Sequence, residues 1–298
     1  MTEKKLYLFD GSSYIYRAYY ALPPLKTSDG FPTGAIYGFL RMFFSFLKEK
    51  KPSYVAVIFD PPKGKTFRAI QYKEYKANRK PISDDLKKQI PVIKKLLNIL
   101  GIPILEIPDL EADDVIASLA KKFSSKGWKV YIYTPDKDMY QLLTYKGVHI
   151  INPLTEEEIT EQKVEEKFGV KPYQIPSYLA LVGDKVDNIP GVEGVGKKRA
   201  AEILKKIDTL DKAIENWENL PLEVKKFLSK TNPKELKNWL SLVELKTDTE
   251  IPVEEKDLKI KKPDYVKLKE ELSKLEMKSL LKELEKLKQT SLGLRKLF

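Results

Sequence analysis

The sequence predicts an α/β fold, in which a mostly parallel sheet is flanked by helices, followed by a helical region. In the first half, short apolar runs rich in Tyr, Val and Ile alternate with longer amphipathic stretches. This alternation is typical of a parallel sheet with helices on both faces. From about Glu156 the strand-like runs stop, and short helical stretches broken by Pro and Gly follow. We therefore expect an α/β region over residues 1–168 and a helical region over residues 169–298.

Five apolar runs have the length and composition of strands. They are KLYLFD (5–10), YVAVIFD (54–60), IPILEIP (102–108), KVYIYTPD (129–136) and VHIIN (148–152). The stretches between them predict helices over 34–49, 84–100 and 111–123. A last amphipathic stretch near 264–287 keeps a helical period, and we expect it to pack as a helix on the rest of the molecule.

The composition excludes several kinds of chemistry. The chain has no cysteine, so disulfides, thiolate metal sites and cysteine nucleophiles are excluded. Its one histidine, His149, lies in the apolar run VHII and is interpreted as a strand residue without a catalytic role. Lys and Arg number 54 against 43 Asp and Glu, a net charge of +11 that suits a polyanionic partner. No apolar run approaches a membrane span, and the N-terminus lacks a secretory pattern, so we expect a cytoplasmic protein without a membrane partner.

Carboxylates recur at the ends of the predicted strands. Asp10, Asp60 and Asp136 each end a strand run, and Asp138 follows the last of them closely. In open parallel sheets the working site lies beyond the carboxyl ends of the strands, so these side chains are expected to meet. The other candidate acids are Glu111, Asp113, Asp114, Asp184 and Asp187. The first three open a predicted helix, where acids also favour the helix dipole, and this is their alternative interpretation.

Nine neighbouring carboxylates would repel one another unless cations neutralise them. Because the chain has no Cys and its one His is assigned to a strand, the suitable cations are hard divalent ions that prefer oxygen ligands, Mg²⁺ or Mn²⁺. Two such ions about 4 Å apart can hold and hydrolyse a phosphodiester. Two motifs have other interpretations when taken alone. DKD (136–138) also occurs as a metal motif of nucleotide-sugar transferases or as a plain loop, and LFDGSS (8–13) is also compatible with a phosphatase nucleophile.

A glycine-rich turn and three cations directly follow the last two acids, in the segment GVEGVGKKRAA. The residues concerned are Gly191, Gly194, Gly196, Lys197, Lys198 and Arg199. Glycines permit close backbone approach, and cations at a helix start suggest a bound anion. The segment resembles a P-loop, but Lys198 replaces the required Ser or Thr and no strand precedes it, so ATP binding is rejected. We interpret it as a helix–hairpin–helix that holds a phosphate backbone; a solvated basic turn is the alternative.

A second basic tract, KGKTFRAIQYKEYKANRK (63–80), contains seven cations, one acid and interleaved aromatic residues. On a helix, Arg68, Tyr72, Tyr75, Lys76 and Arg79 would share one face. With Phe67, this combination of amines and rings is typical of single-strand nucleic-acid binding. A solvated helix face is the alternative interpretation. Since the tract begins soon after Asp60, it is expected to lie above the acidic site.

Seven segments of the chain match one known family: LFDGSSYIYRAYYALPPL, PTGAIYGFLRMF, VIFDPPKGKTFR, EYKANR, LEADDVIASLA, TPDKDMYQL and LVGDKVDNIPGVEGVGKKRA. With these segments the chain closely resembles the 5′ nuclease domain of bacterial DNA polymerase I, a relative of flap endonucleases. The resemblance implies an arch at about 63–81, a helix–hairpin–helix at about 184–206, and metal binding by all nine acids. It also implies that Lys76 and Arg79 reach the scissile phosphate, that Tyr75 stacks on a base and that Arg17 contacts DNA. A K⁺ ion at the hairpin is a further expectation.

The implied activity is hydrolysis of branched DNA at a 5′ flap or duplex 5′ end, including RNA-primed ends, by two Mg²⁺ ions. We expect a monomer, either free-standing or excised from a longer protein, which works with a DNA polymerase or a sliding clamp. The tail LRKLF (294–298) faintly resembles a clamp-binding peptide. The alternatives are a non-catalytic nucleic-acid clamp and a related metal-dependent RNase.

Overall fold

A computed structural model describes residues 3–61, 66–79, 81–153 and 155–294, with side chains described up to residue 286. Within these residues six strands form one sheet in the order β3-β2-β1-β4-β5-β6. They are β1 (Lys5–Asp10), β2 (Tyr54–Ile58), β3 (Ile104–Leu105), β4 (Lys129–Tyr133), β5 (Val148–Ile151) and β6 (Glu158–Ile159). All neighbours are parallel except β6, which is antiparallel to β5. The predicted mostly parallel sheet is confirmed.

The sheet differs from the prediction at its two edges. The run 102–108 forms only the two-residue strand β3, which pairs with the end of β2. Strand β6 lies beyond Glu156, where no strand was predicted. Both edge strands have only two residues, too few for a period-two pattern to be recognised in a sequence.

The helices surround this sheet. The α-helices are α1 (Gly11–Ala21), α2 (Gly34–Lys50), α3 (Phe67–Gln71), α4 (Asp84–Ile99), α5 (Ala112–Ser124), α6 (Glu161–Phe168), α7 (Ile175–Val182), α8 (Lys197–Ile207), α9 (Leu210–Glu215), α10 (Leu222–Phe227), α11 (Pro233–Val243), α12 (Tyr265–Lys274) and α13 (Lys278–Leu294). Short 3₁₀ helices cover Lys137–Thr144, Pro172–Gln174, Trp217–Asn219 and Glu255–Leu258. The helices predicted over 34–49, 84–100 and 111–123 correspond to α2, α4 and α5.

Alternate side chains of the central strand separate the core into two halves. Tyr7 and Phe9 of β1 face one half, which α1, α2, α4, α12 and α13 cover. Leu6 and Leu8 face the other half, which α5 covers together with the helices from α6 to α11. The helical region therefore packs on the sheet face that carries α5, and the last two helices pack on the opposite face.

The basic tract is not the single helix that was predicted. Helix α3 ends at Gln71, and turns follow up to Asn78, with Lys76 at a φ of +57°. The prediction that Arg68 and Arg79 share one helix face is therefore wrong. Arg68 is 1% exposed, because its guanidinium is used in the protein interior. Residues 62–65 and 80, part of the predicted arch, lie outside the described residues.

The C-terminal stretch forms two helices instead of one. Helix α12 ends at Lys274, and Glu276, with a φ of +58°, lies in the turn before α13. Leu268 and Leu272 are fully buried against the core, whereas Val266 of the same helix is 72% exposed. The predicted clamp-binding tail lies outside the described residues from 295 onward. Among the helices that the structure describes, none is long and apolar enough to cross a membrane.

Candidate active site

Three predicted aspartates lie together at the carboxyl edge of the sheet. Asp10 ends β1, and its carboxylate accepts a hydrogen bond from Ser13 N–H at 2.9 Å and from Thr134 Oγ1 at 3.2 Å. Asp60, two residues after β2, accepts from Ser12 Oγ at 3.1 Å and from Ala112 N–H at 2.9 Å. Because β2, β1 and β4 are adjacent and parallel, their ends bring these groups and Asp136 to one place.

The pKa values of two carboxyl groups in this set are raised by burial and by neighbouring acids. Burial raises the pKa of Asp10 to about 6, with further contributions from Asp60 and Asp136, although hydrogen bonds from Ser13 oppose this shift. Burial, followed by the charges of Asp136 and Asp10, raises the pKa of Asp113 well above its usual range. Such shifts arise when like charges share a poorly hydrated site, so the group is suited to a bound cation.

Asp138 gives a direct indication that an oxygen-preferring cation fits here. Its Oδ1 is buried and has no hydrogen-bond partner among the described residues. Lys137 Nζ lies 3.3 Å from this oxygen but not in hydrogen-bonding geometry. Burial and the charge of Asp136 raise the pKa of Asp138 to about 8. An orphaned carboxylate oxygen among further carboxylates is the donor chemistry that Mg²⁺ or Mn²⁺ prefers.

Glu111 connects the acidic edge to the basic tract. It precedes α5, and its Oε1 accepts from Thr66 Oγ1 at 3.1 Å. Its Oε2 lies 3.2 Å from both Tyr75 Oη and Lys76 Nζ. Lys76 thus contacts an acid of the site. Tyr75, which was expected to stack on a base, is 7% exposed and donates its hydroxyl to Glu111.

Asp184 and Asp187 lie in the loop between α7 and the glycine turn, and cations of the chain contact both. Lys137 Nζ donates to Asp184 Oδ2. Burial opposes ionisation of Asp184, yet this contact and the amides of residues 186 and 187 lower its pKa. Arg79 Nη2 donates to Asp187 Oδ1 at 2.6 Å.

Reciprocal hydrogen bonds join this loop to the turns of the basic tract. Lys76 N–H donates to the carbonyl of Asp187 at 3.0 Å, and Asn188 Nδ2 donates to the carbonyl of Glu74 at 2.8 Å. Asn78 Nδ2 donates to the carbonyl of residue 185 at 2.6 Å. Residues 74–79 and 185–188 therefore form one contact, here called the arch–loop contact, beside the acids.

Asp114 departs from the expected set of metal ligands. It is fully buried, and Arg68 Nη1 and Nη2 donate to its two oxygens at 2.6 and 2.9 Å. Lys246 N–H also donates to Oδ1 at 2.9 Å. In this structure Asp114 is the partner of a buried arginine, and Arg68 does not present its charge to DNA. Both expectations, of Asp114 as a ligand and of Arg68 as a DNA contact, are corrected by this pair.

The remaining acids approach one another without forming a closed coordination shell. Within the described part of the chain, no three carboxylates are close enough to hold one ion together. Cations of the chain bind three of these acids instead: Lys76 binds Glu111, Arg79 binds Asp187, and Lys137 binds Asp184. Like charges otherwise separate unless a cation lies between them.

The glycine turn forms the predicted helix–hairpin–helix between α7 and α8. Gly191 has a φ of +70°, and a Cβ there would lie 2.4 Å from the nitrogen of Gly183, so only glycine fits. Gly194 also has a positive φ, and Gly196 is the N-cap of α8. Arg199 donates to the carbonyl of Gly194 and lies 4.8 Å over the Phe227 ring.

The cations of the hairpin differ in availability. Lys197 and Lys198 are exposed at the start of α8 and are free to meet a phosphate backbone. Arg199 is exposed as well, but its guanidinium already binds its own turn.

The other predicted DNA-contacting residues lie in three different places. Arg17 is partly buried on α1, where it lines a cavity of about 380 Å³ with Arg41. The Phe67 ring lies 3.4 Å from Lys246 Nζ and 4.5 Å from the guanidinium of Arg68. Tyr72 packs partly buried against the core. The Phe67 and Tyr72 rings therefore both have protein neighbours in this structure.

Sequence reasoning missed several residues of the site. Lys137 stands between two predicted ligands but binds Asp184, and Thr134 and Ser12 position Asp10 and Asp60. For Lys137 the only signal in the sequence was its place inside the acidic motif DKD (136–138). The two hydroxyl residues have no distinguishing pattern.

A parallel sheet with acids at its carboxyl edge, a basic tract above them and a helix–hairpin–helix beside them defines a nuclease of the 5′ type. Family models agree: "5′-3′ exonuclease, N-terminal resolvase-like domain" matches residues 5–169, and "5′-3′ exonuclease, C-terminal SAM fold" matches residues 170–266. The chain belongs to the 5′-3′ exonuclease family, whose members are structure-specific 5′ nucleases.

Relatives of known name are similar over most of this chain. A 5′-3′ exonuclease of Aquifex aeolicus is 54% identical over 284 residues, which cover 95% of this chain and 96% of that protein. DNA polymerase I of Caldicellulosiruptor bescii is 40% identical over 94% of this chain, which spans only 33% of that polymerase. A bacteriophage T5 flap endonuclease, solved as a pseudo-enzyme–product complex with DNA and metal ions, has a TM-score of 0.65 and 25% identity over 82% of this chain and 90% of its own.

Proposed function

We propose that the protein cleaves DNA at 5′ flaps and duplex 5′ ends with the help of Mg²⁺, which Mn²⁺ can replace. The observation that carries this proposal is the acidic edge of the sheet, with the buried orphan oxygen of Asp138 and the raised pKa of Asp10, next to Lys76 and Arg79. The named T5 relative, with its DNA and metal ions, supports it.

In this proposal the acidic edge holds the metal ions. The residues that would hold them are Asp10, Asp60, Glu111, Asp113, Asp136, Asp138, Asp184 and Asp187. When bound, divalent ions supply charge neutralisation of the phosphodiester and activation of water. Lys76 and Arg79 offset the charge that develops on the phosphate, after leaving Glu111 and Asp187. The hydroxyls of Ser12 and Thr134 keep Asp60 and Asp10 oriented.

The proposal assigns substrate holding to the helical region. Lys197 and Lys198 bind the duplex backbone beside the turn, where K⁺ would be a further ligand of the hairpin. We place cleavage in residues 1–168 and duplex binding in residues 169–298, a division supported by family models that meet at residues 169 and 170. RNA-primed 5′ ends are included as substrates, and the protein acts as a cytoplasmic monomer. A DNA polymerase and a sliding clamp are its proposed partners.

Cleavage of a 5′-labelled flap tests this proposal. With Mg²⁺ the wild-type protein should release the flap, and with EDTA it should not. Asp184→Asn should bind the flap with a Kd within about threefold of wild type yet cleave at least about 100-fold more slowly, because the substitution removes a carboxylate that would hold the metal ions and leaves the cations that bind DNA unchanged. Asp211→Asn, an exposed aspartate of α9 outside the site, is the matched control and should cleave normally.

Three results would contradict the proposal. Binding of the flap without cleavage in any divalent metal would favour a non-catalytic clamp. Cleavage of RNA alone would favour a metal-dependent RNase. Undiminished cutting by Asp184→Asn would remove this residue from the mechanism.

A further inference from the structure

Arg68 is a buried cation that the proposed reaction does not use. Its Nε donates to the carbonyl of Leu242 at 2.8 Å, and Nη2 donates to that of Glu244 at 2.8 Å. Nη1 donates to Glu111 Oε2 at 3.0 Å and to Asp114 Oδ2 at 2.6 Å, and Nη2 also donates to Asp114 Oδ1 at 2.9 Å. The planar, forked guanidinium is the side chain that can satisfy all of these acceptors at once.

These contacts join three parts of the fold. Arg68 lies in α3, at the base of the basic tract, and Glu111 and Asp114 lie at the start of α5. The two carbonyls belong to the C-terminal end of α11, where unsatisfied carbonyls favour a cation. Helix α11 packs against α7, the first helix of the helix–hairpin–helix. Arg68 therefore connects the basic tract, the acidic edge and the helical region.

The geometry excludes direct contact of Arg68 with DNA. At 1% exposure, its guanidinium cannot reach a phosphate without opening the core. A purely stabilising role is also a poor explanation, because apolar residues of similar volume often stabilise as well as a buried ion pair. What the ion pair does specifically is fix the place of Glu111, whose Oε2 Arg68 shares with Lys76.

We propose that Arg68, paired with Asp114, is a positioning residue that sets Glu111 and the turns carrying Lys76 for cleavage. The proposal rests on the proposed nuclease function of the same site. Asp114 then acts as the anchor of Arg68 and not as a metal ligand. Residues that orient ligands in this way typically change activity about 10- to 100-fold when lost.

The test separates positioning from stability with an apolar replacement of the pair. In Arg68→Met/Asp114→Leu the two paired charges disappear together, so the midpoint of urea unfolding should lie above that of Arg68→Met alone, which leaves Asp114 buried and unpaired. Flap cleavage with Mg²⁺ should nevertheless show kcat reduced about 10- to 100-fold with KM for the flap within about threefold. Lys121→Ala is the matched control. Lys121 of α5 pairs with Asp248, which follows α11 in the sequence, and does not contact Glu111. It should cleave like the wild type.

A second measurement does not depend on activity. Amide hydrogen exchange over residues 72–79 should be faster in the double variant than in the wild type, since Glu111 no longer holds Lys76 in place. If the wild type itself does not cleave, the proposed function fails, while this exchange still reports on Arg68. Unchanged exchange would then overturn the positioning role.

Other outcomes are equally decisive. Wild-type kcat in the stable double variant would reduce Arg68 to a structural residue, and a raised KM at unchanged kcat would make it a DNA contact; either result overturns the proposal. If the double variant does not fold, Arg68→Lys replaces it, because the ammonium keeps the charge but cannot reproduce the fork. Reduced kcat in that folded variant supports the proposal, and wild-type kcat overturns it.

Discussion

Individual cations of the chain occupy the places where charge must be neutralised. Lys76, Arg79 and Lys137 each contact an acid of the proposed site. Nearby Glu111 and Asp187 raise the pKa of Lys76 despite the opposing effect of burial, so it stays protonated at neutral pH. The Lys76 ammonium group can therefore move from a carboxylate to a phosphate without a change in its protonation.

Replacement of Lys76 tests this transfer. Lys76→Ala should lower kcat about 100-fold while the Kd for a duplex changes less than about threefold, because the ammonium acts on the reacting phosphate and not on the duplex. Single-turnover cleavage and equilibrium binding in Ca²⁺ measure the two quantities. Lys73→Ala, an exposed lysine of the same turns, serves as control and should keep both. Equal losses in binding and rate for Lys76→Ala would make this lysine a tether.

At the residue scale, the sequence could locate the acids but not their partners. Asp10, Asp60 and Asp136 were predictable because strand ends of a parallel sheet converge. The roles of Arg68 and Asp114 were not, since a basic residue in a basic tract gives no signal that it is buried. Their pairing depends on α11, more than a hundred residues away in the sequence.

The helix–hairpin–helix is the element whose function follows most directly from its local structure. Gly191 permits the close approach of two backbone segments, and the start of α8 presents Lys197 and Lys198 to solvent. Exposed cations at a helix start, together with free amides, favour a phosphate contact that carries no base specificity.

Removal of the two exposed lysines should weaken binding for every DNA sequence alike. In Lys197→Ala/Lys198→Ala the plot of log binding constant against log salt concentration should become less steep by about 2, because two phosphate contacts are lost. KM should rise with kcat unchanged. Lys205→Ala, at the other end of α8, is the control. A variant with the wild-type salt slope would show that the hairpin does not face the backbone.

At the element scale, length decided what the sequence could predict. Helices α2, α4 and α5 were predictable because each keeps an apolar period over several turns. The basic tract was misjudged, because spacing alone cannot show that α3 ends after five residues. There the tertiary contacts of Arg68 and Lys76 determine the backbone.

At the scale of the whole molecule, repulsion among the buried acids affects the stability of the fold. The pKa values of Asp10, Asp113 and Asp138 are all raised, mainly by burial. At a pH between the pKa of such an acid in the unfolded state and its higher pKa in the folded state, the folded protein keeps a proton that the unfolded chain releases. The stability that these protonated acids contribute is therefore present below about pH 4 and is lost as the pH rises through the folded values.

In EDTA the free energy of unfolding should consequently decrease by several kcal/mol between about pH 5 and about pH 8. Asp138→Asn, which removes the group with a pKa of about 8, should reduce this decrease, whereas the exposed Asp248→Asn should not. Urea unfolding at several pH values measures the slope. Millimolar Mg²⁺ should abolish it for the wild type. A flat profile in EDTA would mean that the acids are not coupled in solution.

The arch–loop contact has a consequence for the ionic strength at which the protein works fastest. In the Arg79–Asp187 pair the Arg79 side chain is half exposed, so moderate salt weakens the contact between residues 74–79 and the loop 185–188. More salt also weakens attraction to phosphates. A DNA strand that binds Arg79 must displace Asp187 from it. Salt weakens both the Arg79–Asp187 pair and the attraction of DNA to the protein, so the cleavage rate should pass through a maximum as KCl increases. A cleavage rate that only declines with KCl would show that the Arg79–Asp187 pair does not slow binding of the DNA strand.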